Sequence, residues 1–289
     1  MTPSTLTGQP PAKINLLLRV LATEQSGYHG IETLFCRISL TDTLVVARDD
    51  RPGTVSLEVD GLDDTGPPAD NLAARAAKLV LDATGNRFGV RLKLSKRIPV
   101  AAGLGGGSSD AATTLDLVNQ LAENAVPRSE LAHLASRLGA DVPFFLSGAS
   151  LALGWGHGDR LLCLPSLPTA PALLLVPPVR IMTANAYRWV DEARTAGVSR
   201  GALALDLDGL SRWSDVARMA GNDFESAVFG REPRVRDGFE ALARTGPMMC
   251  RMTGSGSALV AVYRAARDRD DAITMLGTKF GKVLPTETS

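Results

Sequence analysis

The sequence predicts an α+β protein in two halves, residues 1–164 and 165–289, with largely antiparallel sheets. Three observations lead there. Short segments alternate apolar and polar residues with period two, as a strand with one face in water does. Helical patterns are interspersed among them. A stretch with three prolines in seven residues, Pro165 to Pro171, separates the first set of elements from a second.

The elements follow in chain order. Lys13 to Ala22 reads as a strand with Ile14, Leu16, Leu18 and Val20 on one face. Thr43–Arg48 and Val55–Asp60 are two further strands, followed by a Gly/Asp/Pro-rich loop from Gly61 to Pro68. Asp70 or Asn71 caps a helix that runs to about Thr84 and is closed by Gly85. In 90–96, Val90, Leu92 and Leu94 alternate with Arg91, Lys93 and Ser95, so this strand is half exposed. A glycine-rich loop and a helix from Asp110 to Leu121 come next. Ser129 caps a helix whose Leu131, Leu134, Ala135 and Leu138 share a face, ended by Gly139. Leu151–Leu153 is another strand. Beyond the prolines, Leu173–Val176 is an apolar strand, Thr183 caps a helix through Arg194, and Val235–Ala243 is helical. Met252–Tyr263 reads as a turn plus a strand.

Lys plus Arg and Asp plus Glu number 31 each, so the formal net charge is zero. Nothing electrostatic therefore calls for nucleic acid or an anionic membrane surface. Cys36, Cys163 and Cys250 are far apart with no CxxC, which suits reduced thiols better than a disulfide framework or a zinc site. Met1 to Pro10 lacks the basic start and apolar core of a signal peptide. No run approaches the roughly 20 apolar residues a membrane helix needs. The expected setting is the cytoplasm and the expected partner a small molecule, with no nucleic acid, membrane or obligate protein partner implied.

The most informative stretch is Ile98 to Asp110, with glycines at 103, 105, 106 and 107, then Ser108 and Ser109. Glycine lets the backbone approach a ligand, and the following helix adds its positive N-terminal end, so a triphosphate is the natural guest. It is not a Walker loop, because no Lys follows Gly107. It is not a Rossmann fingerprint either, because the sixth position from Gly103 is Ser108. Ser108 and Ser109 add hydroxyl donors, or ligands for Mg²⁺.

Phosphoryl transfer needs phosphates held, charge neutralised and a hydroxyl deprotonated. Gly139-Ala-Asp-Val-Pro-Phe144 places Asp141 just past a helix end, fixed by Pro143, a turn that can present an acid into a cleft. Pro11-Ala-Lys-Ile-Asn15 puts Lys13 and Asn15 on one face of the first strand. If Lys13 lies beside Asp141, it orients the carboxylate and offsets phosphoryl charge. Gly27-Tyr28-His29 pairs an aromatic ring with an imidazole, which suits a nucleobase. Thr253-Gly-Ser-Gly-Ser257 either lies against the phosphates or permits tight packing. His133 and His157 read as structural.

Taken in order, PAKINL, GYH, IPVAAGLGGGSSDAATTL, GADVPFF and MTGSGSALVAVY resemble the GHMP kinase superfamily over nearly the whole chain. Within it, they resemble the branch acting on a cytidine diphosphate derivative of methylerythritol. The resemblance implies a ribosomal-S5-like N-terminal domain and a ferredoxin-like C-terminal domain, with the active site in the cleft between them. It implies transfer of the γ-phosphoryl of ATP, with Mg²⁺, to a tertiary 2-hydroxyl in the non-mevalonate route to isoprenoids. It makes Lys13 and Asp141 the catalytic pair. It gives the ATP phosphates to Pro99, Val100, Ala101, Ala102, Gly103, Leu104, Gly105, Gly106, Gly107, Ser108, Ser109 and Asp110. Asn15, Tyr28 and His29 then serve the cytidine end, with Thr183 and Tyr187 lining the substrate pocket. Ser26 stands where the family has an Asp, removing a charge at the rim.

Overall fold

The computed structural model describes residues 4–24, 27, 29–61, 67, 70–194 and 206–289. Among them lie three sheets. The first joins β1 (Thr5–Gly8), β4 (Thr43–Asp49), β6 (Gly89–Lys96) and β5 (Val55–Gly61) in that order. Its pairs are antiparallel except β5 with β6. The second carries β2 (Pro11–Thr23), β3 (His29–Thr41), β7 (Leu151–Gly156) and β8 (Arg160–Leu164) as an antiparallel meander. Beside β2 a two-residue strand from the second half, β10 (Gly221–Asn222), pairs in parallel. The third orders β11 (Met249–Met252), β12 (Leu259–Val262), β9 (Pro171–Val176) and β13 (Lys282–Glu287), all antiparallel. The expected α+β class with largely antiparallel sheets is the one observed.

The helices of the first half are α1 (Leu72–Ala83), α2 (Gly106–Leu121), α3 (Arg128–Leu138) and the short α4 (Val142–Ser147). Those of the second are α5 (Thr183–Arg194), α6 (Trp213–Met219), α7 (Phe224–Arg231), α8 (Pro233–Ala243) and α9 (Ala266–Leu276). Of the two cap candidates for α1, Asn71 is the one used: its side chain accepts from the Ala73 N–H at 2.9 Å. Three expectations need correction. The second helix starts at Gly106, four residues before Asp110, because Gly105 takes the left-handed turn (φ +71°) and frees the next glycines to be helical. The third starts at Arg128 after Pro127, so Ser129 lies inside it and caps nothing. Thr183 is the first residue of α5, and its hydroxyl bonds Ser255 Oγ at 3.1 Å.

Three cores meet the central sheet; one joins its Leu18, Val20 and Ile31 to Val190, Phe224 and Leu259, and two more complete the packing. One packs the first sheet on α1, α2 and α3, through Val46, Leu92, Leu94, Val80, Leu115 and Leu134. The other brings Ile14, Leu16 and Ile38 of the central sheet against Leu174, Val260 and Val262 of the third, so the two halves share apolar packing. The proline stretch is no free tether. Leu167 and Ala170 are buried, β9 begins at Pro171, and Trp213 Nε1 donates to the Pro168 carbonyl at 2.7 Å. Strand β2 is the element this sandwiching alters most. The apolar face read from sequence is buried, but Lys13 and Asn15 on its other face are buried as well. No helix among the described residues is long and apolar enough to cross a membrane.

Candidate active site

Lys13 and Asn15 lie two residues apart on β2 and point the same way, as the pleat requires. Lys13 Nζ donates to Asn15 Oδ1 at 2.8 Å and stands 3.4 Å from Asp141 Oδ2. The Lys13 side chain is 4% exposed and that of Asp141 29%, so the carboxylate is the partner a second molecule can reach. Asp141 occupies the N-cap position of α4, whose Pro143 fixes the first turn. The Lys13 ammonium also lies over the Phe35 ring, 5.5 Å from its centre. Phe35 in turn stacks on Phe144 of α4, at 4.9 Å, which ties the helix to the sheet that carries the lysine.

Asn15 is engaged with the protein itself. Its Oδ1 accepts from Lys13 Nζ, from Thr253 Oγ1 at 3.2 Å and from Gly254 N–H at 3.0 Å. Its Nδ2 donates to Thr33 Oγ1 at 2.7 Å. It therefore links the lysine to the second glycine turn, 253–257. That turn lies against the first. Gly103 is at φ +81°, and a Cβ built there would stand 2.2 Å from the Thr253 carbonyl oxygen.

The glycine loop frames one end of the site. A cavity of about 320 Å³ is lined by Pro99 to Ser108 and Asp110 together with Asp70, Asn71, Leu72, Lys96 and Ile98. The N–H groups that open α2, from Gly106 on, face no earlier helical turn. Ser109 is fully buried, its hydroxyl finds no partner among the described residues, and it lines none of this cavity. Beneath the loop, Lys96 Nζ donates to Asp110 Oδ2 at 2.7 Å and to Asp42 Oδ2. Asp42 also accepts from the N–H groups of Arg97 and Ile98. Two carboxylates thus share one ammonium. Burial, with the Asp42 charge beside it, pushes the Asp110 carboxyl up to about 7.

The opposite end is a cavity of about 780 Å³ that His29, His157, Thr183, Tyr187 and Asp191 help to line. The His29 imidazole stacks on Tyr187 at 4.9 Å and 21°, and the Tyr187 ring meets Phe224 edge-on. Burial pushes the Tyr187 phenol up to about 12, with the Asp141 charge adding to the effect. The ring stays neutral at ordinary pH. Tyr28 and Ser26 lie outside the described residues. Between the two ends a third cavity, about 350 Å³, contains Lys13, Asn15 and Asp141. It shares Gly103, Gly105 and Ser108 with the first, and His157, Thr183 and Tyr187 with the second. A separate groove of about 610 Å³ between β5, α1 and α3 is lined by cations and apolar residues, with no carboxylate or imidazole among them.

Sequence reasoning missed several of these residues. Asp191 repeats the four-residue spacing of Thr183 and Tyr187, so one face of α5 carries all three, and that spacing was legible. His157, read as structural, stands at the mouth of the site, 3.2 Å from Glu24 Oε2. Phe35, Asp42 and Lys96 gave no local signal.

The model for the GHMP kinases N terminal domain matches residues 71–149. A 4-diphosphocytidyl-2-C-methyl-D-erythritol kinase of Solibacter usitatus is 40% identical over 275 residues, covering 92% of this chain and 84% of the relative. One from Deinococcus radiodurans is 38% identical over 273 residues, with 93% and 88% covered. A solved 4-(cytidine 5'-diphospho)-2C-methyl-D-erythritol kinase superposes with TM-score 0.80 at 35% identity, over 98% of this chain and 99% of that one. A homoserine kinase from Cytophaga hutchinsonii shares the fold at TM-score 0.71 and 17% identity, covering 100% and 96%. The chain belongs to the 4-diphosphocytidyl-2-C-methyl-D-erythritol kinase family, a branch of the GHMP kinases.

Proposed function

We propose that this protein transfers the γ-phosphoryl group of ATP to the 2-hydroxyl of 4-diphosphocytidyl-2-C-methyl-D-erythritol, in the methylerythritol phosphate route to isoprenoid precursors. Family membership supports the reaction. One observation supports the assignment of parts: the three cavities run in series, with Lys13 and Asp141 in the middle. The glycine loop end takes the ATP phosphates, on the free N–H groups of Gly106 to Ser108 and the positive end of α2. The His29 end takes the cytidine, with Tyr28, Thr183 and Tyr187 around it. The acceptor hydroxyl then lies beside Asp141.

In the reaction the hydroxyl oxygen forms a bond to the γ-phosphorus, the bond from that phosphorus to the β-phosphate oxygen breaks, and ADP leaves. The hydroxyl proton passes to the Asp141 carboxylate. Lys13 donates to the phosphoryl oxygens as charge gathers there; Asn15 holds the ammonium and itself serves as a positioning residue. Remote binding of the cytidine fixes the distance from base to hydroxyl.

Among the described residues no group of three or more His, Cys, Asp or Glu side chains would hold a metal ion. Mg²⁺ would keep waters and take phosphate oxygens with few protein ligands. Ser108, which lines both the phosphate cavity and the central one, would supply a hydroxyl ligand. Bound there, the ion would neutralise phosphate charge. We read 1–164 and 165–289 as the two domains of the enzyme, the second supplying α5 and the 253–257 turn, and place the enzyme in the cytoplasm with its substrates.

The test is coupled ADP release with Mg·ATP and three acceptors in parallel: the diphosphocytidyl-methylerythritol, mevalonate and homoserine. Turnover with the first alone is expected. Turnover only with another would keep the phosphoryl-transfer machinery and overturn the acceptor. ATP binding with no turnover would remove the kinase reading.

A further inference from the structure

Among the described residues, one ring nitrogen of His29 has hydrogen-bond partners. Its Nε2 lies 2.8 Å from Asp191 Oδ1 and 3.0 Å from Thr23 Oγ1. Among the described residues Nδ1 has no hydrogen-bond partner. An ionised carboxylate only accepts, so the nitrogen facing Asp191 must carry the proton and donate it. In the neutral imidazole the other nitrogen is then an acceptor. Stacking on Tyr187, from the same face of α5 as Asp191, fixes the ring plane as well. The imidazole is thus held by one helix in both tautomer and orientation, while it lines the largest of the three cavities in series.

Resting on the reading that the cytidine end occupies this cavity, we propose that Asp191 is the positioning residue that sets base specificity. By keeping the His29 proton on Nε2 it presents Nδ1 as an acceptor. A pyrimidine with an exocyclic amine can donate to that nitrogen. A pyrimidine with a carbonyl at the same place sets two acceptors against each other. The site therefore takes cytosine and turns away uracil. Net hydrogen-bond strength plus the cost of an unpaired buried acceptor places the discrimination at about tenfold to a hundredfold in kcat/KM. A second contribution comes from Thr23 Oγ1, which as an acceptor at the same nitrogen reinforces the same tautomer.

The experiment measures kcat and KM for the diphosphocytidyl substrate and for its diphosphouridyl analogue, in the wild type and in Asp191→Asn. An asparagine can turn its NH₂ toward Nε2 and so release the proton to Nδ1. The cytidine-to-uridine ratio of kcat/KM is expected to fall about tenfold in the variant, through KM more than kcat. The chain has three histidines, so selective ¹⁵N-histidine labelling resolves the His29 ring. The wild type should show the Nε2–H tautomer, and Asp191→Asn a shift toward Nδ1–H. Should the variant refold poorly, Thr23→Val and Asp191→Glu give the same ratio test, with the glutamate expected to restore selectivity. An unchanged ratio together with an unchanged tautomer overturns the role of Asp191. A wild type that turns over another acceptor and ignores the cytidine substrate refutes the functional reading instead, and this proposal with it.

Discussion

Adding one methyl group at Gly103 tests whether the close approach of the two glycine turns matters to the reaction. Gly103 sits at φ +81° and Gly85, at the end of α1, at φ +77°. An alanine at either position bears the left-handed backbone penalty, roughly 1–2 kcal/mol. The surroundings differ. A Cβ at Gly85 meets nothing within 4 Å, whereas one at Gly103 would lie 2.2 Å from the Thr253 carbonyl oxygen and 3.3 Å from Gly254 Cα. Ordinary contact begins near 3.4 Å, so the turn must retreat by about 1 Å, and overpacking of that kind costs roughly 1–3 kcal/mol more. The retreat moves Gly254 N–H and Thr253 Oγ1, both of which hold Asn15 Oδ1, and through it Lys13. A misplacement of that size can cost on the order of a hundredfold in rate. Gly85→Ala should therefore lower the melting temperature by a few degrees with kcat/KM for ATP intact. Gly103→Ala should lower it further and reduce kcat/KM at least tenfold. Unfolding followed by circular dichroism and a coupled ADP assay give both numbers. Equal destabilisation of the two variants, with full activity in Gly103→Ala, would refute the reasoning.

Asp141→Asn keeps the shape and removes the proposed base, so kcat should fall by about 10²–10⁴ while ATP still binds by calorimetry; near-full turnover would dismiss that role. Lys13→Met leaves a side chain of similar length beside Phe35, and Asn15 Oδ1 keeps its Thr253 and Gly254 donors. The expected result is a loss of about 10²-fold or more in kcat with little change in melting temperature; collapse of the fold would make the ammonium structural. Asp110→Asn is read through pH. The native protein holds the Asp110 proton up to about 7, against 3.8 for the ordinary carboxyl. Native therefore binds more protons than unfolded between those values, and stability falls as pH rises through that window. The asparagine variant lacks this slope, so it should gain relative to the wild type as pH rises from about 4 to about 7 in denaturant unfolding. A difference that stays constant across that range would mean that Asp110 is ionised throughout.

Local chemistry made part of this protein legible. The α1 cap, the alternation of β6 and the glycine loop all follow from a few consecutive residues whose backbone preferences agree with the fold. Strand β3 escaped notice because it lies in the middle of a sheet covered on both sides. Ile31, Leu34, Phe35, Cys36 and Ile38 are all buried and leave no period to read. The C-terminal strand β13 is mixed in composition and becomes a strand by pairing along β9.

The site was legible in the same uneven way. Lys13, Asn15 and Asp141 were recognisable as residue types suited to the task, and the spacing of Lys13 and Asn15 put both on one face. Their placement depends on contacts no local rule contains. Thr253 and Gly254, 238 and 239 positions beyond Asn15, supply two of the three donors on its Oδ1. The absence of a side chain at Gly103 answers the same turn. Read alone, each glycine segment permitted either a ligand role or tight packing. Together they do one thing that requires both: the second turn packs where a Cβ of the first would stand, and it fixes the amide that aims the lysine. Asp191 extends the argument to the far end of the site. Its partner His29 is 162 positions away, so only the folded chain brings that carboxylate to the imidazole.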